Sequence, residues 1–322
     1  MKRFFQSLII AALAATVAIP VSAQTYPSKA ARIMVGATAG GGTDILARIL
    51  AEKFTASMKQ PFVVENRPGA ANTIAADLTA KAPPDGYTIL VATNTGQAIA
   101  PHLLKLGFDP LKDLRPVGLI VTVPHVLLVG SQEKARDVKE LVAEMKAKPN
   151  EFNYASAGSG STQHIAGAAL NLAAGTTASH VPYKGSSAAH IDLMAGQVQL
   201  MLDTTSSGMP HIKSGKMRAL AITSPRRSAE LPQVPTMAEA GYPGVEMSTW
   251  YGLYVTGGTP RPIVEKLAEE LQRVLKLPDV QERLRGFAGE PGTLTIEQFA
   301  DMNRREFDYY GKLIRAANIK AE

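Results

Sequence analysis

The sequence predicts an α/β protein built as two lobes with strands that cross between them. Short apolar runs alternate with helical stretches along nearly the whole chain, a pattern typical of parallel sheets covered by helices. The chain has 322 residues, 45% hydrophobic and 19% charged, which suffices for two lobes and excludes a disordered protein. No Gly/Ser linker divides it, so crossing strands fit better than two domains in series.

The first 23 residues have the features of a secretory signal peptide. Lys2 and Arg3 form a basic start, residues 8–19 are almost wholly apolar, and Val21-Ser22-Ala23 fits the cleavage rule. The apolar run is shorter than the roughly 20 residues that a membrane span needs. We therefore expect a periplasmic mature chain without stable membrane insertion, and losing two basic residues lowers its net charge from +6 to +4.

The first predicted unit is a strand, a glycine-rich turn and a helix. Residues 31–35 are apolar enough for a buried strand, and Gly40-Gly41-Gly42 forms the turn. Apolar side chains then recur at helical spacing as far as Met58, and Thr43 is placed to cap the helix.

Later apolar runs predict further strands, and periodic stretches predict the helices between them. The strands cover residues 62–65, 87–92, 119–123, 126–129, 152–156, 198–202, 218–223 and 247–255. The helices cover residues 132–148, a stretch opening at 158–162, 262–275 and 296–317. Pro124 lies between the runs 119–123 and 126–129 and is expected to separate them into two strands, because proline interrupts strand pairing.

Two segments combine a strand end, a glycine-rich turn and a helix start, namely residues 37–43 and 157–162. A helix start offers unpaired N–H groups and about half a positive charge, and glycines allow close approach. Each segment is thus a candidate carboxylate or phosphate cradle, although a capped turn explains either one alone. Together they suggest an anion held from both lobes.

Single side chains give weaker signals. Asp203 stands at the carboxyl end of a predicted strand, which is compatible with a ligand site or with a turn carboxylate. His164 lies in the first turn of a predicted helix. Trp250 and Tyr251 lie in an apolar predicted strand, which favours packing of their rings in the protein over stacking on a ligand. Asp44 and Arg48 are four residues apart, as expected for a surface ion pair.

Several function classes lack their sequence features. The chain has no Cys, no P-loop and no H-E-x-x-H motif, so we expect no cofactor and no metal site. A serine hydrolase using Ser159 or Ser161 with His164 and Asp203 remains an alternative, but the nucleophile-elbow register is missing. The charges are interspersed, which argues against a nucleic-acid partner.

The motifs in order resemble one family, the Bug-type substrate-binding proteins of tripartite tricarboxylate transporters. They are Tyr26-Pro27, Gly40-Gly41-Gly42-Thr43-Asp44, Glu65-Asn66-Arg67-Pro68-Gly69-Ala70, Pro84-Asp85-Gly86-Tyr87-Thr88, residues 153–161, His180-Val181-Pro182-Tyr183-Lys184-Gly185, Gly196-Gln197-Val198-Gln199, residues 232–241 and Trp250-Tyr251-Gly252. The resemblance implies a periplasmic binding protein of the Venus-flytrap type, with lobe 1 at residues 24–122 and 252–322 and lobe 2 at 123–251. It implies no enzyme activity.

The resemblance also implies a small-molecule carboxylate as ligand and membrane transporter subunits as partners, with a sensor domain as the alternative partner. The expected ligand-binding residues are Ala37, Thr38, Ala39, Gly40 and Gly41 in the first segment, Gly158, Ser159, Gly160, Ser161 and Thr162 in the second, and Asn94, Thr95, His164 and Asp203.

One stretch departs from the family pattern. Many members carry Pro-Phe before the triple glycine, whereas this chain has Gly36-Ala37-Thr38-Ala39. A missing phenyl ring would leave room for a bulkier ligand. We therefore expect a di- or tricarboxylate, and an aromatic dicarboxylate of the terephthalate kind is one candidate.

Overall fold

The computed structural model describes residues 26–316, so the predicted signal peptide at residues 1–23 lies outside the described residues. The strands are β1 Ala31–Val35, β2 Phe62–Asn66, β3 Thr88–Thr93, β4 Leu114–Gly130, β5 Asn153–Ser156, β6 Ser179–Pro182, β7 Leu200–Thr204, β8 Met217–Ile222, β9 Ser248–Thr256 and β10 Glu290–Pro291. The α-helices are α1 Gly42–Met58, α2 Thr73–Ala80, α3 Val138–Ala147, α4 Thr162–Ala174, α5 Ser186–Ala195, α6 Thr205–Lys213, α7 Arg261–Leu275, α8 Pro278–Arg285 and α9 Ile296–Ala316. The predicted α/β class is confirmed.

The strands form one mixed sheet in the order β2–β1–β3–β9–β4–β7–β5–β6, with β8 and β10 also paired to β4. Strands β1, β2 and β3 are parallel, and so are β5, β6 and β7, while β4 and β9 run antiparallel to their neighbours. We call the part built on β1, β2, β3, β10 and the start of β4 lobe 1. Lobe 2 is built on β5, β6, β7, β8 and the end of β4.

The long strand β4 belongs to both lobes. Its residues as far as Pro124 pair with β9, and from His125 onward they pair with β7 and β8. Proline is tolerated where a strand changes partners because its missing N–H is least costly there. The sequence prediction of two strands split by Pro124 is therefore wrong, and one continuous strand crosses between the lobes.

Each lobe has its own apolar core. In lobe 1, Phe54 of α1 packs edge-on against Phe62 of β2 with ring centroids 5.3 Å apart. In lobe 2, a second cluster gathers Phe152, Tyr154 and Leu202 under α4. Within the described residues, no helix is both long and apolar enough to cross a membrane.

Several local predictions need correction. Gly41, not Thr43, is the N-cap of α1, and Thr43 lies inside the helix. Helix α3 begins only at Val138, because Asp137 caps it by accepting the Glu140 N–H at 2.8 Å. Strand β7 runs one residue past Asp203, which leaves Asp203 at the carboxyl end of the strand, as predicted.

Leu271→Ala is expected to lower the free energy of unfolding by about 2–5 kcal/mol, because Leu271 of α7 is fully buried in the lobe 1 core. The matched control is Leu172→Ala on α4, whose side chain is 86% exposed and which should change stability by less than about 0.5 kcal/mol. Urea unfolding followed by circular dichroism measures both, and equal losses would contradict the packing described.

Candidate ligand site between the lobes

A small cavity lies where the two lobes meet. The centre of a water-sized sphere can occupy about 30 Å³ of it, so the lobes are closed over little free space. Its lining comes from both lobes and from β9: Ala37, Gly41, Gly42, Thr43, Asn72, Thr93, Thr95, Ala157, Thr162, Gln163, Gly185, Ser186, Thr204, Thr249 and Tyr251. Most of these residues follow the carboxyl ends of parallel strands, where ligands bind in open α/β sheets.

Four helices begin at this cavity. Gly42 starts α1, Thr162 starts α4, Ser186 starts α5, and Thr204 is the N-cap of α6. Each helix start carries N–H groups without partners in the helix and about half a positive charge. The cavity is therefore an environment for a negatively charged group.

None of the lining residues carries a charged side chain. Burial raises the pKa of Tyr251 to about 12, so its phenol stays protonated and neutral. The Tyr251 hydroxyl lies 3.0 Å from the Ser206 hydroxyl. An anion bound here would be held by neutral hydrogen-bond donors and helix starts, without an ion pair.

The first glycine-rich segment contributes only part of its residues to the cavity. Ala37 and Gly41 line it. Thr38 and Ala39 instead contact lobe 2, because the Ser187 hydroxyl lies 3.0 Å from Thr38 Oγ1 and donates to the Ala39 carbonyl at 2.9 Å.

Gly40 lies outside the cavity lining, and its N–H donates to Asp44 Oδ2 at 2.9 Å. Asp44 also pairs with Arg48 at 2.9 Å, as the sequence predicts, but the Asp44 carboxylate is buried and not on the helix surface. Burial alone would raise the pKa of Asp44, but the hydrogen bonds from Arg48, Gly40 and Asn66 outweigh it and lower the pKa.

In the second segment, Thr162 lines the cavity together with its neighbours Ala157 and Gln163. The other predicted residues shape the turn: Gly158 N–H donates to Ser156 Oγ at 3.1 Å, and Ser161 caps α4 by accepting the His164 N–H at 3.2 Å. Three further predicted residues also lie outside the lining: Ser159, Gly160 and His164. Ser159 is half-exposed, and the His164 ring stacks on the His180 ring with centroids 3.8 Å apart.

Asn94 and Thr95 follow β3, and both were expected to bind the ligand. Only Thr95 lines the cavity. Its hydroxyl accepts the Thr162 N–H at 3.2 Å, which joins the two lobes. Asn94 is buried and points elsewhere, donating to the Ser248 carbonyl at 3.2 Å.

Asp203 lies fully buried behind the cavity wall. Oδ1 accepts hydrogen bonds from Gln163 Nε2 and Ser186 Oγ, each at 2.9 Å, and Oδ2 lies 2.6 Å from His190 Nε2. Burial alone raises the pKa of Asp203, but these hydrogen bonds outweigh it and hold the pKa below its usual value. The carboxylate thus positions two cavity-lining side chains without lining the cavity itself.

These bonds give the serine hydrolase alternative no support. Asp203 is bound by His190 and not by His164, and the Ser161 hydroxyl serves as a helix cap. Among residues 26–316, no group of three or more His, Cys, Asp or Glu side chains is arranged to hold a metal ion.

The sequence did not single out the starts of α5 and α6, which lack a glycine-rich run. Gly185 and Ser186 follow β6, and Thr204 ends β7. The only sequence feature that could have indicated these helix starts was a pair of small polar residues after an apolar stretch. Tyr251 and Thr249 also line the cavity, whereas Trp250 points into the lobe 1 core and donates to Glu306 at 2.6 Å. Lys184 is exposed and lies outside the lining.

Two α/β lobes closed over one small, uncharged cavity define the chain as a solute-binding protein of the flytrap type. The family model described as "Tripartite tricarboxylate transporter family receptor" matches residues 46–319. The chain belongs to this family, which confirms the resemblance found in its motifs.

Relatives match over most of their length. Protein BugT of Bordetella pertussis is 34% identical over 322 residues, covering 99% of each chain. A UPF0065 protein in the tcbD-tcbE intergenic region of Pseudomonas sp. strain P51 is 38% identical, covering 92% of this chain and 88% of that protein.

Solved structures share the architecture. Rpa4515 of R. palustris, solved with adipate, is 32% identical with a TM-score of 0.89, covering 92% of this chain and all of that one. MatC (Rpa3494) of Rhodopseudomonas palustris, solved with bound malate, is 31% identical with a TM-score of 0.85, covering 90% of this chain and all of that one.

Stability is expected to fall as the pH falls from about 6.5 towards 4. Burial lowers the pKa of His125 to about 4, whereas an unfolded histidine titrates near 6.5. The unfolded state then binds more protons across this window, which costs about 3 kcal/mol at its acid end. His125→Gln keeps an N–H for Thr249 but does not titrate. Its free energy of unfolding, measured with urea from pH 7 to 4.5, should therefore fall less steeply with pH than that of the unmodified protein. An equally steep fall would contradict the buried neutral imidazole.

Proposed function

We propose that the mature chain is a periplasmic protein that captures a small dicarboxylate or tricarboxylate and presents it to membrane transporter subunits. One observation carries the proposal: four helix starts converge on a cavity whose lining has no charged side chain. A carboxylate is an acceptor-only anion, so it matches N–H donors and partial positive charge.

Two groups of donors on opposite lobes favour a ligand with two acidic ends. The start of α1 belongs to lobe 1, and the starts of α4, α5 and α6 belong to lobe 2. A dicarboxylate that spans them would hold the lobes together, so the closed form would have the higher affinity and the ligand would shift the population towards it. The solved relatives with adipate and malate support this substrate class.

An aromatic dicarboxylate is the second candidate. Only Ala37 of the stretch 36–39 lines the cavity, so the wall there ends in a methyl group. Ala157 and Gly185 add two more small residues to the lining, and Tyr251 supplies the one ring in it. Small residues on several sides leave room for a flat ring once the lobes open slightly.

The lobe boundaries belong to the same proposal, with residues 24–122 and 252–322 in lobe 1 and 123–251 in lobe 2. The change of strand partners between Pro124 and His125 supports the first boundary. Closure brings Gly185 against lobe 1, where a Cβ at this position would lie 2.8 Å from Thr38 Oγ1. Such tight contact suits a surface that forms only when the lobes meet.

The transporter role is distinguished from the sensor alternative by the partner that the loaded form binds. The family description favours a transporter. Cross-linking of the loaded and ligand-free protein to solubilised transporter subunits, and separately to a sensor ectodomain, tests this choice. Ligand-dependent capture by the sensor alone would favour the alternative.

The substrate class is tested by thermal shift and calorimetry of the mature protein with mono-, di- and tricarboxylates, terephthalate and the matching diamides. Ligand at 100 times its Kd stabilises a protein by about 2.7 kcal/mol, a shift of several degrees at this size. We expect dicarboxylates to raise the melting temperature and diamides to have no effect. Equal binding of acids and diamides would refute the anion site.

Gly42→Ala is expected to weaken ligand binding by about 10- to 100-fold, because a Cβ there would collide with Ser206 Oγ and lie 2.8 Å from Tyr251 Oη. Alanine suits the first turn of a helix, but Tyr251 packs in the lobe 1 core beside Gly42, so the variant should also lose some stability and its affinity is measured at a temperature where it is folded. The control is Gly244→Ala, where a Cβ meets open space and affinity should not change. Calorimetry measures both, and unaltered affinity in Gly42→Ala would argue against closure over this cavity.

A further inference from the structure

A chain of hydrogen bonds runs across the cavity floor from β4 to β7. His125 Nε2 lies 2.8 Å from Thr249 Oγ1, which lies 2.8 Å from Thr162 Oγ1. Thr162 Oγ1 donates to Gln163 Oε1 at 3.2 Å, and Gln163 Nε2 donates to Asp203 Oδ1 at 2.9 Å. Each of these residues is more than nine-tenths buried.

The Asp203 end fixes the direction of this chain. An ionised carboxylate only accepts hydrogen bonds, so the Gln163 amide must turn its nitrogen towards Asp203 and its oxygen towards Thr162. The Thr162 hydroxyl hydrogen is then used on Gln163 Oε1. Thr162 Oγ1 must therefore accept from Thr249, whose own hydrogen is used in that bond.

The His125 end agrees with this direction. Burial keeps His125 neutral, and its Nδ1 is buried without a hydrogen-bond partner among the described residues. Thr249 has already used its hydroxyl hydrogen on Thr162, so it can only accept from His125, and the ring hydrogen belongs on Nε2. Thr249 Oγ1 thus accepts from His125 and donates to Thr162.

This direction decides what the cavity offers a ligand. Thr162 and Thr249 both line the cavity, and both hydroxyl hydrogens are used within the chain. Each oxygen keeps one unused lone pair, so each presents an acceptor. The helix starts beside them present donors. The cavity therefore combines a carboxylate cradle with two neighbouring acceptors that need a donor.

We propose that the preferred ligand is a hydroxy-carboxylate, with its hydroxyl group donating to Thr249 or Thr162 while its carboxylates face the helix starts. This inference rests on the proposed function and narrows its substrate class. A hydroxyl suits the site better than an ammonium group, because the positive ends of four helices would repel a cation. A ligand without the hydroxyl would leave the remaining lone pair of both oxygens unused, whereas the hydroxyl group satisfies one of them.

Calorimetry at pH 7 with matched ligands tests the proposal. The pairs are malate and succinate, 2-hydroxyglutarate and glutarate, and 2-hydroxyadipate and adipate, with aspartate, glutamate and 2-aminoadipate as the ammonium analogues. In the pair whose length fits best, the hydroxy acid should bind about tenfold tighter than the unsubstituted acid and tighter than the amino acid.

Variants of the chain test the two acceptors. Thr249→Val and Thr162→Val each keep nearly the same shape and each remove one acceptor. In the variant that lacks the acceptor used by the ligand, the preference for the hydroxyl should fall to within about twofold. The control is Ser187→Ala, outside the cavity, which should weaken both members of a pair equally and leave their ratio unchanged.

The possible results separate the inference from the function it rests on. If no carboxylate binds, the proposed function fails. If carboxylates bind but hydroxy and unsubstituted acids bind equally, or the amino acid binds tightest, only the hydroxyl inference is overturned. A preference that survives in both Thr249→Val and Thr162→Val would also overturn it.

Discussion

Strand β4 pairs with strands of both lobes and thereby fixes how the two halves of the sheet face each other. One strand of 17 residues joins β9 on one side of Pro124 and β7 with β8 on the other. Because the lobes share this strand, the carboxyl ends of both parallel strand groups face one cavity. His125 stands at the change of partners and so links the crossing strands to the ligand site.

A single buried charge organises the cavity that this constraint creates. Asp203 is fully buried, yet it stays ionised because several donors satisfy it, and breaking such an arrangement is costly. It orients Gln163 from α4 and Ser186 from α5, the side chains at two helix starts. The charge thus acts on the cavity through neutral groups and leaves the lining without a charged side chain.

The fold was predictable from sequence where local patterns decide it. Strand β1 and helices α7 and α9 were predicted to within about a residue, since their apolar periodicity is strong. Helices α5 and α6 were missed because they are short, with 10 and 9 residues, and α6 in addition contains Ser, Thr, Gly and Pro. Short helices gain most of their stability from packing on the sheet. Pro124 misled the prediction because a lone sequence does not show where a strand changes partners.

Within the site, the two glycine-rich helix starts could be located from the sequence, because a strand end, glycines and a capping residue are adjacent along the chain. The family could also be recognised from the sequence, through motifs spread over nearly the whole mature length. Which residues reach the cavity depends on how the chain folds: Thr162 does, whereas Asp203 stays behind the wall. The direction of the hydrogen bonds from His125 to Asp203 was likewise decided only by the tertiary structure, because it depends on contacts between residues up to 124 positions apart.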